Sequence, residues 1–104
     1  MNFSVRYTAG ARDDLVRLFE FLLERARTVE DLDQAERALD AITSSIDHRL
    51  RRFPFACRKV GASPFLRELV ISFGHSGYVA LFEIDDAATV TILAVRHQLE
   101  DDYH

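Results

Sequence analysis

Residues 65–95 read FLRELVISFGHSGYVALFEIDDAATVTILAV. Three apolar runs, FLRELVISF, YVALFEI and TVTILAV, are separated by GHSG and DDAA. Runs of this length, rich in β-branched and aromatic residues, predict strands, and the separators are of hairpin length. The segment therefore predicts an antiparallel meander of three strands.

The second and third runs are apolar on both faces. Alternation sends Tyr78, Ala80, Phe82 and Ile84 one way, and Val79 and Leu81 the other way with Glu83. In the next strand, strict alternation sets Val90, Ile92 and Ala94 against Thr89, Thr91, Leu93 and Val95. An antiparallel sheet covered by helices on one face normally shows water a polar second face. Two coverings are open: the chain's own second helix or C-terminal tail, and a partner chain.

Upstream, NFSVRYT places Phe3, Val5 and Tyr7 on one face of a half-buried strand. Thr8 is placed to cap a helix running to about Arg27. That helix carries Ala11, Leu15, Leu18, Phe19, Leu22 and Ala26 as one apolar stripe. Thr28 with Asp31 resembles a capping box, with Asp in place of Glu. The second helix carries Leu32, Ala35, Leu39, Ile42, Ile46, Leu50 and Phe53 as a narrow seam, and Pro54 cannot continue it. A short connection between two helices predicts an antiparallel hairpin. The predicted order is β-α-α-β-β-β, an α+β fold with a helical hairpin packed on a small antiparallel sheet, one domain over residues 1–104.

Composition bounds the function. The chain is 48% hydrophobic and 29% charged, with 4 Gly and 2 Pro, which excludes a disordered chain. The single cysteine, Cys57, cannot form an internal disulfide and fits a reducing compartment. The N-terminus has no apolar h-region, and no apolar run approaches the ~20 residues that span a bilayer. A cytoplasmic location without membrane contact is expected. The net charge of −4 disfavours generic nucleic-acid binding, but no acid lies between Asp47 and Glu68. That window holds Arg49, Arg51, Arg52, Arg58, Lys59 and Arg67. It reads as a solvated helix end or as a docking surface for an acidic partner.

FGHSGY lacks the second glycine of a nucleophile elbow, since position 78 is Tyr78, so Gly74 to Gly77 read as a turn. Cys57 has no cysteine nearby, which disfavours a zinc site, and a packing role outranks a nucleophilic pair with His97. A metal site from His97, Glu100, Asp101, Asp102 and His104 would sit on a chain end without rigid support, so no metal or cofactor is expected. His97 and Tyr103, with Arg96 or Arg67 on phosphate, have the chemistry for metal-free RNA cleavage through the ribose 2′-hydroxyl. Arg96 and His97 are adjacent, so on a strand they would point to opposite faces.

The segments VRYTAGARDDLVRLFEFL, FLRELVISFGHSGYVALFEID and VTILAVRHQLEDDY resemble the RelE/ParE superfamily of type II toxin–antitoxin toxins, and ParE-like members in particular. The resemblance spans essentially the whole chain, and its last segment is the most specific. It implies a small toxin wrapped by a cognate antitoxin, which would cover an apolar sheet face expected at Leu69, Val79, Leu81, Val90 and Ile92. The assembly would be a homodimer or a toxin–antitoxin hetero-oligomer. ParE-type members block DNA gyrase by contact, whereas RelE-type members cleave mRNA on the ribosome. The nuclease branch has basic residues at positions that align with Val70, Ser72 and Val79 here, so the phosphate clamp looks lost. What remains of that set is Arg67, Arg96, His97 and Tyr103. The gyrase reading is therefore favoured over mRNA cleavage and over an orphan or inactive toxin-fold binding module, with target contacts expected at Arg49, Arg51, Arg52, Arg58, Lys59, Arg96, His97 and Tyr103.

Overall fold

The computed structural model describes residues 2–100. Two helices, α1 (Ala9–Arg25) and α2 (Val29–Leu50), follow the first strand, β1 (Ser4–Tyr7). After a single 3-10 turn (Pro54–Ala56) come β2 (Arg58–Lys59), β3 (Leu66–Phe73), β4 (Ser76–Ile84) and β5 (Thr89–His97). The strands lie in the order β1-β5-β4-β3-β2. The expected meander is present as β3-β4-β5, all antiparallel, and β1 adds to it in parallel, so the sheet is mixed. The helical hairpin carries the chain from β1 to β2 at the opposite edge, and the meander brings β5 back beside β1, so no tight turn forces the two to run antiparallel. No helix among the described residues is long and apolar enough to cross a membrane.

Both helices start where their sequences direct. The Thr8 side chain accepts the Ala11 N–H at 3.0 Å, and Thr28 accepts the Asp31 N–H at 3.0 Å. Asp31 in turn accepts the Arg27 N–H at 2.9 Å. That bond, with those from the backbone and side chain of Thr28, holds the Asp31 carboxyl below the ordinary range. The α2 helix stops at Leu50, which takes Phe53 off the expected seam and leaves it 60% exposed. Leu32 is also exposed.

The core lies between the helical hairpin and one sheet face. Phe82 is completely buried, together with Ile42, Ile46 and Leu50 of α2 and Val90 and Ile92 of β5. Each such side chain contributes about 1.5–3 kcal/mol of transfer free energy.

A β-bulge rewrites the faces of β5. Leu81 pairs with Ala94, but Phe82 pairs with Ile92, so Leu93 is an extra residue. Strict alternation fails there. Ala94 moves to the outer face, while Val95 turns inward and joins the core, the reverse of what the sequence predicts for both. The expected partner-covered face needs correction as well. Leu69, Val90 and Ile92 are buried against the chain's own helices and are unavailable to a partner. Val79 and Leu81 do share the opposite face, although Val79 is only 2% exposed. Arg96, paired with Val79 across the strands, donates from Nη1 to the carbonyls of His97, Gln98 and Glu100. The chain's own tail thus closes one end of the outer face, and Val70 remains 43% exposed.

Candidate functional site

Beyond Ile92, β1 has ended and β5 presents backbone groups that no strand pairs. Buried backbone groups must find partners. Side chains of α1 and the tail supply them. Thr8 Oγ1 donates to the Leu93 carbonyl at 3.2 Å, and the Asp14 carboxylate accepts the Val95 N–H at 2.8 Å. An Arg17 Nη donates to the Val95 carbonyl at 3.5 Å, and Glu100 Oε1 accepts the His97 N–H at 3.1 Å. Arg17 also pairs with Glu100 at 3.1 Å. Asp14 is 2% exposed and stands at the 11-14-18 spacing of buried α1 positions. A carboxylate on an apolar helix stripe is the sequence signal that could have found it.

Arg17, His97 and Glu100 of this seam line a groove of about 710 Å³. One wall is the second half of α1, with Leu18, Phe21 and Leu22, and the other is the β3–β4 turn from Phe73 to Ser76. Gly74 has φ of 61°, which suits glycine in that turn. His97 is held through both ring nitrogens. Its Nδ1 accepts the Leu99 N–H at 3.1 Å, and its Nε2 lies 3.1 Å from Ser76 Oγ. The Tyr78 ring meets the imidazole edge-on at 5.3 Å. Burial pushes the Tyr78 phenol up. Since Nδ1 is an acceptor, the neutral ring carries its proton on Nε2 and donates it to Ser76. The one available ring lone pair, on Nδ1, accepts the Leu99 N–H, and Ser76 faces an N–H rather than a base. This arrangement suits neither a serine nucleophile nor a histidine general base.

The other expected site residues do not converge here. Arg96 projects to the opposite face from His97, as adjacency in a strand requires. Arg67 sits at the far end of β3 and donates to the carbonyls of Pro64, Phe55 and Cys57 at 2.8 Å each. Tyr103, with Asp101, Asp102 and His104 of the weighed metal cluster, lies outside the described residues. Cys57 is buried in the core near the Arg67 end, and burial pushes its thiol up, so it is no partner for His97. The expected target surface is split: Arg49, Arg51, Arg52, Arg58 and Lys59 lie at the β2 end, while Arg96 and His97 lie at the other. The eight-residue β3 separates the two ends, a span of about 25 Å. Sequence reasoning missed Arg17 and Ser76, and weighed Glu100 only as a metal ligand, because their roles depend on segments distant in the chain.

Two further grooves are present. One, of about 720 Å³, runs between α1 and α2 away from the sheet and is lined by Leu15, Val16, Phe19, Leu23 and Leu39 beside Glu20, Glu36 and Asp40. The smaller, of about 230 Å³, opens beside Phe73 and Ala38.

Residues 5–102 match the family model described as ParE toxin of type II toxin–antitoxin system, parDE. A protein named Toxin RelE3 from Caulobacter vibrioides is 37% identical over 97 residues, covering 93% of this chain and 96% of that protein. A solved structure titled Chromosomal ParDE TA system from P. aeruginosa superposes with a TM-score of 0.67 at 15% identity, covering 91% of this chain and 95% of the other. That likeness is one of fold. The match along almost the whole chain leads to one assignment: this chain belongs to the ParE toxin family of type II toxin–antitoxin systems, within the RelE/ParE superfamily.

Proposed function

We propose that this toxin acts in the cytoplasm by direct contact with DNA gyrase, without chemistry of its own, and that its cognate antitoxin neutralises it. One observation carries the choice against mRNA cleavage. The described members of the nuclease set, Arg67, Arg96 and His97, are spread over two ends and two faces of the sheet. Phosphoryl chemistry on RNA needs a base and a cationic clamp around one phosphate. Here Arg67 is spent on loop carbonyls, Arg96 on tail carbonyls, and the Nδ1 lone pair of His97 accepts the Leu99 N–H. Val70, Ser72 and Val79 offer no replacement charge. With Leu69, Val90 and Ile92 excluded by burial, the antitoxin surface reduces to the outer sheet face around Val70 and Leu81.

The test pairs two purified assays: supercoiling by gyrase, and mRNA integrity on translating ribosomes. Loss of supercoiling with intact mRNA is the expected result, and His97→Ala should leave inhibition unchanged. Cleaved mRNA with normal supercoiling would reverse the proposal.

A further inference from the structure

At the β2 end, about 25 Å along the sheet from the His97 groove, three phenylalanines stand in solvent: Phe53 60%, Phe55 51% and Phe65 50% exposed. Exposed aromatics of this size mark an interaction surface. Phe55 and Phe65 pack edge to face with centroids 6.4 Å apart. They come from segments on either side of β2, and one side chain joins those segments. Arg67, rooted in β3, donates to the carbonyls of Phe55, Cys57 and Pro64 and lays its guanidinium 5.2 Å from the Phe55 ring centre. The pair of rings is therefore built and fixed before any partner arrives, which spares the ordering cost of binding.

Both signs of charge lie at this end: Glu68 pairs with Arg58, Glu83 lies across from Leu66, and Asp85 follows Ile84, whose N–H donates to the Phe65 carbonyl, while several cations keep no acidic partner among the described residues. Arg49, in the last turn of α2, accepts the Phe53 N–H on its carbonyl, and Arg52 directly precedes Phe53. Lys59 lies on β2, paired with Arg67. Arg51 is paired with Asp47 and Arg58 with Glu68. Arg49, Arg52 and Lys59 are exposed and make no ion pair with a described residue. Stacking faces interleaved with free cations are the means by which proteins hold unpaired bases and their phosphates. A peptide anchor would instead require a concavity, and none of the three grooves above is lined by these rings. We propose that Phe53, Phe55 and Phe65, with Arg49, Arg52 and Lys59, form a sequence-tolerant binding surface for single-stranded nucleic acid, positioned by Arg67. Arg49, Arg52 and Lys59 are also among the residues expected to contact gyrase, so the two readings are tested apart: oligonucleotide binding is measured without gyrase, and supercoiling without the oligonucleotide.

Binding is measured by fluorescence anisotropy of a labelled oligothymidylate of about twelve nucleotides, within the usual site size of such surfaces. The purified full chain is titrated in low salt. The single strand should bind at least tenfold more tightly than a duplex of equal length. Phe55→Ala and Phe65→Ala should each weaken it about tenfold, in line with one stacked base, whereas Phe55→Tyr should retain it. Three phosphate contacts predict a log–log salt slope near −2, or roughly 20-fold weaker binding between about 50 and 200 mM salt. Arg49→Ala should flatten that slope. Arg67→Lys should weaken binding as well, because an ammonium cannot hold three carbonyls in one plane. His97→Ala should bind as the wild type does. Circular dichroism melts establish that each variant folds before its binding is read. The proposal is overturned if the oligonucleotide does not bind, or if duplex binds equally and Phe→Ala changes nothing. It is equally overturned if a polyglutamate peptide bearing phenylalanines binds more tightly than the oligonucleotide and displaces it, which would make the partner a protein.

Discussion

Replacing Asp14 with alanine should unfold this protein at a markedly lower temperature. Its carboxylate is 2% exposed and accepts the Val95 N–H at 2.8 Å, on the stretch of β5 that β1 does not reach. A hydrogen bond to a charged group contributes about 1.5–3 kcal/mol, and a buried N–H left without a partner costs about 1–3 kcal/mol. The two overlap, so the loss is about 2–4 kcal/mol. For a domain near 100 residues, 1 kcal/mol lowers Tm by about 4–8 °C, so the midpoint should fall by roughly 10–25 °C. Asp14→Asn keeps an acceptor oxygen and should lose less than half as much. Arg17→Ala should cost at most about 1 kcal/mol, since Arg17 is 42% exposed and solvent screens its pairing. Thermal melts of the three variants, followed by circular dichroism at one pH and salt, provide the assay. An Asp14→Ala midpoint within about 3 °C of wild type would refute the idea that α1 side chains replace the missing strand. So would an Asp14→Asn loss equal to that of alanine.

Two further predictions concern packing and pH. A Cβ at Gly77 would lie 2.2 Å from the Ile71 carbonyl oxygen, which belongs to the paired strand and cannot yield cheaply. Gly77→Ala should therefore cost at least about 1–3 kcal/mol in a denaturant melt, and a neutral result would show that β3 and β4 separate more easily than their register implies. Burial raises the pKa of Tyr7, with help from Asp47, and of Tyr78; it also raises that of Cys57, against the pull of Arg49 and Arg67. Each folded value lies above the unfolded one, so the stability these groups contribute is complete below the unfolded value and is lost as pH rises through the folded value. With unfolded values of about 8.5 for cysteine and 10 for tyrosine, Tm should begin to fall above about pH 8.5. A Tm that climbs from there toward pH 11 would contradict the burial of these groups.

The sequence by itself determined every element whose signal is local. The strand runs of the meander have alternation and hairpin-length separators, and both helices begin at the threonines whose hydroxyls cap them. The stop before Pro54 is also local, although α2 ends at Leu50 rather than at Phe53. Family membership was legible for the same reason, since it rests on consecutive residues. The site was much less so. Only cross-strand pairing reveals that Leu93 is extra, and that one residue exchanges the faces of Ala94 and Val95. Only the parallel docking of β1, which ends opposite Ile92, creates the bare edge that Asp14, Arg17 and Glu100 satisfy. Arg67 read as a phosphate ligand because charge is visible in sequence, whereas the three carbonyls it holds come from two segments that meet only in the fold. Periodicity reports which side of an element is apolar. Which neighbour covers that side, and which polar group is used up inside the molecule, depend on contacts between residues far apart in the chain, and tertiary structure decides them.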